Sequence, residues 1–169
     1  MRITDLLDAK SISLNLSPKS KSEALDMAVD LMVKSGKIND REGYRKQVYL
    51  REEESTTGIG EGIAIPHGKC DAVDRPGLAA MVIKDGVDFD SIDGDQVTLL
   101  FLIAAPNTED NVHLDVLSKL SVLLMDEEFS KSYDDIRENL KKLCENDDFL
   151  ASMICKDIVC LLYTSDAAD

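Results

Sequence analysis

The chain has 169 residues, 44% of them apolar and 31% charged, the composition of a folded domain with enough length to bury a core. A formal net charge of −14 argues against a nucleic-acid-binding face and against an anionic membrane surface, and biases association toward basic protein partners. The longest apolar runs, Leu78–Ile83 and Val97–Ala105, are too short to cross a bilayer, and MRITDLLDAK has no secretory apolar core, so a cytoplasmic location with reduced thiols is expected.

In chain order, Ser11–Leu16 alternates polar and apolar residues, as a half-buried strand does, and Ser17-Pro18 breaks it. Ser20 or Ser22 can cap a helix through Ala24, Leu25, Ala28, Leu31 and Met32 that stops at Gly36. Asn39 or Asp40 can start a second helix, Arg41–Glu53, with Tyr44 and Val48 inward. Gly58, Gly60 and Gly62 follow, with Ile63–Ile65 as a short extended piece. Leu78–Ile83 and Val97–Ala104 are continuous apolar runs of strand length, the kind buried on both faces of a sheet, joined by the turn-rich DGVDFDSIDGDQ. Pro106-Asn107-Thr108 is expected to open a helix capped by Thr108, with Glu109 and Asp110 in its first turn. Two shorter helices are expected within Tyr133–Cys144 and Asp147–Ile158. Helices and strands interleave, so the class is α/β, one sheet flanked by helices. The final CLLYTSDAAD, Cys160–Asp169, resembles translated read-through of a sequencing adaptor. The natural sequence is therefore expected to end near Val159 and to continue differently.

The stretch TGIGEGIAIPHGK carries the chemistry. Its G-x-G-x-G spacing is not the dinucleotide G-x-G-x-x-G, it opens no helix, and it lacks the Gly-Lys-Ser/Thr of an ATPase loop. Either the glycines form a tight helix-to-strand loop, or their unshielded N–H groups approach an oxyanion. His67, just after Pro66, is a nucleophile when neutral, although a lone histidine is more often a surface or core residue. His113 shares a helical face with Leu117, Leu120 and Leu124 in the expected helix's second turn, pointing inward. It either bonds a nearby carbonyl or sits beside the His67 loop. Arg51 is either an exposed partner of Glu52 or Glu54, or a two-pronged phosphate clamp. The four cysteines, Cys70, Cys144, Cys155 and Cys160, have no metal-ligand spacing, and Cys70 reads as a buried thiol rather than a partner of His67.

REEESTTGIGEGIAIPHGK, Arg51–Lys69, closely resembles the phosphorylation-site signature of type 2 enzyme IIA domains of the bacterial phosphoenolpyruvate:sugar phosphotransferase system, the fructose/mannitol/nitrogen-regulatory class. With MRITDLL and IAAPNTEDNVHLDVLSKLSVLLMDEEF, the resemblance covers residues 1–150, leaving 151–159 as a linker or last helix. It implies a mixed sheet with helices on both sides. It implies that His67 accepts a phosphoryl group on Nε2 from HPr or an HPr-like domain and passes it to a cysteine of an enzyme IIB domain. His113 then matches the second active-site histidine and Arg51 the active-site arginine. The amides of Gly58, Gly60 and Gly62 and the hydroxyl of Thr57 (or Thr56) are expected to steady the phosphoryl oxygens, with no metal, nucleotide or other cofactor. STTGIGEGIAIPH and LLMDEEF resemble the fructose branch most; the alternative is a nitrogen-regulatory module that controls protein partners without moving sugar. Fructose-type domains often precede IIB and membrane IIC domains, and this segment itself is not expected to insert in a membrane.

Overall fold

The computed structural model describes residues 6–108 and 111–124. Strand β1 (Leu7–Leu16) runs into Ser17-Pro18, and Ser20 caps helix α1 (Lys21–Lys34). The Ser20 hydroxyl accepts the Glu23 N–H at 3.2 Å, while the Glu23 carboxylate accepts the Lys19 N–H at 2.6 Å. Gly36, at φ +71°, ends that helix with its N–H on the Val33 carbonyl. Asp40 caps α2 (Arg41–Glu54) by accepting the Gly43 N–H at 3.1 Å. There follow β2 (Gly58–Gly60), β3 (Ile63–Ala64), β4 (His67–Cys70), β5 (Gly77–Val87), β6 (Val97–Pro106) and α3 (Val112–Leu124).

These strands form one mixed sheet in the order β1-β5-β6-β3-β2, with β4 also paired to β6. β1 is parallel to β5, β5 antiparallel to β6, and β2 antiparallel to β3. On the remaining edge of β6, β3 lies parallel opposite Leu99 and Leu100, and β4 parallel opposite Ile103 to Pro106. Strand alternation divides the buried residues of β6 between two faces. Leu100, Leu102 and Ala104 join Leu25, Met32, Tyr44 and Val48 in the core under α1 and α2, whereas Leu99, Phe101, Ile103 and Ala105 are buried outside that cluster. α3 runs back against β6 and buries Val116, also outside the cluster. Helices thus lie on both sides of the sheet, and the continuous apolar run reflects it.

Pro106 does not open a helix. It is the last residue of β6, in register with Cys70, because proline is tolerated at a strand's end where its missing N–H breaks no ladder. The next helix begins at Val112, with the Asn111 carbonyl accepting the Leu114 and Asp115 N–H groups at 2.9 and 3.1 Å. β4 was not expected as a strand, and β1 starts earlier than the expected Ser11. The expected first-turn acids Glu109 and Asp110, the helices within Tyr133–Cys144 and Asp147–Ile158, and the tail Cys160–Asp169 lie outside the described residues.

α2 approaches β4 closely. Tyr44, Val48 and Arg51 share one helical face at i, i+4 and i+7, and the first two are buried against β4 and the core. The Tyr44 hydroxyl donates to the Ile103 carbonyl at 2.9 Å, tying α2 to the residue paired with His67. Gly68 makes the approach possible: a Cβ there would stand 3.1 Å from the Tyr44 ring and 3.2 Å from Val48 Cγ2. In Gly68→Ala, α2 has to yield by a few tenths of an ångström. The expected loss is about 1–3 kcal/mol, read as a lower urea midpoint at unchanged slope.

Candidate active site

His67 opens β4, and both of its ring nitrogens are engaged. Ile65 donates its N–H to the Thr57 carbonyl at 3.0 Å and turns its own carbonyl to His67 Nδ1, also at 3.0 Å. Pro66 has no N–H, and its carbonyl accepts the Ile103 N–H at 3.0 Å, locking the segment onto β6. On the other side of the ring, Arg51 Nε donates to His67 Nε2 at 3.0 Å. The same guanidinium uses Nη1 to reach the Ser55 carbonyl at 3.1 Å and the Ser55 hydroxyl at 3.3 Å.

These partners assign the tautomer. A carbonyl can only accept, so Nδ1 carries the hydrogen; a guanidinium can only donate, so Nε2 presents its lone pair. Burial pushes the His67 pKa down; the Ile65 carbonyl works the other way, and the Arg51 charge lowers it again. At neutral pH the ring is therefore an uncharged base with its nucleophilic nitrogen beside a fixed cation.

The other expected residues are placed differently. The Thr57 hydroxyl, buried, donates to Glu52 Oε2 at 2.5 Å, and the Thr57 N–H donates to Glu52 Oε1 at 2.9 Å. Thr56 donates its hydroxyl to the Phe89 carbonyl at 2.9 Å and accepts the Gly58 N–H at 3.1 Å. Neither hydroxyl nor the Gly58 amide is left for a phosphoryl oxygen, which corrects the expectation for Thr57, Thr56 and Gly58. Gly60 and Gly62, at φ +101° and +76° around Glu61, close the β2–β3 hairpin. Gly62 accepts the Thr98 and Leu99 N–H groups. From Leu99 to Ile103, the partner of His67, the strand advances roughly 13 Å at its usual rise, so Gly62 sits well away from the imidazole. The glycines make contact elsewhere: a Cβ on Gly58 would fall 2.6 Å from Ser91 Oγ, and one on Gly60 2.9 Å from the Asp93 carboxylate.

His113 falls in the first turn of α3 rather than the second, because the helix starts at Val112; its side chain is outside the described ones. Cys70 stands three residues beyond His67 on one strand, which puts the two side chains on opposite faces. Its half-buried thiol packs on the α1–α2 core, and burial pushes its pKa up, away from a thiolate. The described side chains thus bring together His67 and Arg51. Sequence reasoning missed Ser55 and the Ile65 carbonyl. Ser55 carried only a weak signal, as the first non-helical residue after REEE, and a main-chain carbonyl carried none. Among the described residues no cluster of histidine, cysteine and acidic side chains could hold a metal ion, and no helix is long and apolar enough to cross a membrane.

The family model "Phosphoenolpyruvate-dependent sugar phosphotransferase system, EIIA 2" matches residues 5–155. The chain belongs to that family. It is an EIIA domain, a phosphoryl-carrying component of the phosphotransferase system. This EIIA domain is 48% identical over 131 residues to a "PTS system fructose-specific EIIABC component" of Bacillus subtilis; the match covers 78% of the chain and 21% of that much longer relative. It is 39% identical over 138 residues to a "PTS system fructose-specific EIIA component" of Haloferax volcanii, covering 82% of the chain and 85% of the relative. Among solved structures, the nitrogen regulatory protein IIA-Ntr of Neisseria meningitidis superposes with a TM-score of 0.74 at 27% identity, covering 95% of this chain and 98% of that one.

The His67 environment gives a signed expectation. In an NMR titration the ring should titrate below the ordinary 6.5 and show the Nδ1–H tautomer. A depressed basic pKa means that the unfolded chain binds the proton first. The contribution to stability is thus complete above 6.5 and is lost as pH falls through the folded value. Arg51→Met removes a lowering charge, so the His67 pKa should rise and that window should narrow.

Proposed function

We propose that His67 takes a phosphoryl group on Nε2 from the phosphohistidine of HPr or an HPr-like domain and passes it to the cysteine of a fructose-type enzyme IIB. The observation that carries this is the Nε2 lone pair, exposed by the Nδ1–H···Ile65 bond and faced by Arg51. In the first step the Nε2 lone pair attacks phosphorus, and the donor's P–N bond breaks with its electron pair returning to the donor imidazole. The proton on Nδ1 stays in place, held by the Ile65 carbonyl, so the phosphorylated ring is cationic and ready to leave. In the second step a thiolate attacks phosphorus, and the P–N electrons return to Nε2, restoring the starting tautomer without any proton transfer by His67. Arg51, displaced from Nε2 by the incoming phosphorus, supplies charge to the equatorial oxygens. Positioning and charge are the whole of the catalysis on this scheme. His113, on a helix lying against β6, is assigned a supporting contact to the phosphoryl group or to His67.

Two fructose-specific relatives support the sugar branch, and the name EIIABC of one supports an enzyme IIB on the same native chain. A cytoplasmic location follows from this role. The likeness to IIA-Ntr favours the second reading, a regulatory module whose phosphorylation state governs protein partners. The higher identities to fructose-specific proteins favour the first.

With phosphoenolpyruvate, enzyme I and HPr, the domain should acquire one acid-labile phosphate, lost in His67→Ala, retained in Cys70→Ala and acquired more slowly in Arg51→Lys. Labelled His67→Ala removes the site assignment. Adding a fructose-type enzyme IIB should discharge the label; failure to discharge it to any IIB selects the regulatory reading.

A further inference from the structure

Glu52 sits beside Arg51 in the last turn of α2 and has only 7% of its side chain exposed. Its two oxygens take three donors. Oε1 accepts the Thr57 N–H and the Lys21 ammonium, both at 2.9 Å, and Oε2 accepts the Thr57 hydroxyl at 2.5 Å. Among the described ion pairs, it is the one whose carboxylate is buried. A charge is not withdrawn from water in this way unless its partners are fixed around it.

What the partners fix is the turn that leaves α2. The bonds from Glu52 to Thr57 close a short loop with Ser55 inside it, and Ser55 is where the Arg51 guanidinium rests through Nη1. Lys21, the first residue of α1, joins this centre and also reaches Asp90 at 3.3 Å, with its ammonium 4.8 Å over the Phe89 ring. Thr56 bonds the Phe89 carbonyl at 2.9 Å. The end of α2 and the start of α1 therefore meet at the Glu52 carboxylate, and the segment after β5 joins them through Lys21 and Thr56.

We propose that Glu52 is a positioning residue for phosphoryl transfer: its buried carboxylate clamps the Ser55–Thr57 turn, and through Ser55 that clamp holds Arg51 at Nε2 of His67. The arriving phosphorus replaces the Arg51 Nε bond, and the guanidinium then has to serve the oxygens from nearby. The Ser55 anchor, kept in place by Glu52, leaves it within reach. The clamp acts on the transferring state and not on docking of the donor protein. This inference rests on His67 as the phosphoryl acceptor.

The test is Glu52→Gln, which preserves shape but turns an amide N–H₂ toward donors. His67 responds in opposite senses to the charges on α2: Arg51 lowers its pKa, while Glu52 and Glu54 raise it. If Glu52 were only a nearby charge, neutralising it would lower the His67 pKa further. If it positions Arg51, the guanidinium is released and the His67 pKa rises toward 6.5. The rise is the expected result, together with a fall in kcat on the order of tenfold and a donor KM within about twofold of wild type. A pKa that falls or stays, with kcat unchanged, overturns the proposal. Thr57→Val, which deletes the hydroxyl bond and leaves Glu52 charged, should lower kcat by a smaller factor at constant KM. Should Glu52→Gln not fold, wild-type kcat and an unmoved His67 titration in Thr57→Val overturn the proposal by themselves. The titration uses no phosphoryl donor, so a wild-type protein that fails to take phosphate strikes the function and not the clamp.

Discussion

His67 is held between two groups that cannot exchange roles, a carbonyl that only accepts and a guanidinium that only donates. That constraint decides which nitrogen bears the hydrogen and which presents its lone pair, and the elements around it set both partners in place. The Ile65 carbonyl is held toward the ring because the Ile65 N–H pairs with the Thr57 carbonyl and the Pro66 carbonyl accepts the Ile103 N–H, fixing the segment on both sides of it. The ring is in the right place because β4 is in register with β6 at Ile103. Arg51 is in the right place because Tyr44 and Val48 on the same face of α2 are buried, and Gly68 lets them come close.

The electrostatics follow from this geometry. A half-buried imidazole beside a cation disfavours its own protonation, so the base is neutral where the cell works. On the proposed scheme the ring carries positive charge after attack, and Arg51 then faces phosphoryl oxygens rather than the ring. The Nδ1–H bond to a carbonyl dipole steadies that charge. A group that must be received and released within one turnover needs this balance, in which neither the free nor the loaded ring is deeply stabilised. The overall charge of −14 suits capture of a basic partner protein, an effect on encounter rate and not on chemistry.

Much of this was legible in the chain. Ser20 and Asp40 sit where capping residues belong, and the apolar runs of β5 and β6 marked a sheet covered on both faces. The Arg51–Lys69 signature pointed to His67 and Arg51. What failed were readings in which one residue type serves two purposes. Alternate glycines look like an oxyanion cradle, but Gly60 and Gly62 supply positive φ for a hairpin, and Gly58 makes room for Ser91. Thr57 looks like a phosphate ligand, but its hydroxyl belongs to Glu52. Pro106 looks like a helix start, but β4 reaches it first and makes it a strand end. Ser91 and Cys70 are distant in sequence from Gly58 and Pro106, and Glu52 lies five residues from Thr57; the motif itself shows none of these partners. The Ile65 carbonyl could not be read at all, since a main-chain oxygen leaves no mark on a sequence.

The most direct measurement is the position of the phosphate on the ring. The uniformly ¹⁵N-labelled domain, phosphorylated through HPr, should show phosphorus bonded to Nε2 of His67 in a ³¹P–¹⁵N correlation spectrum, with Nδ1 still protonated. Phosphorus on Nδ1, or a spectrum unchanged at His67 while phosphate resides on another residue, contradicts the account.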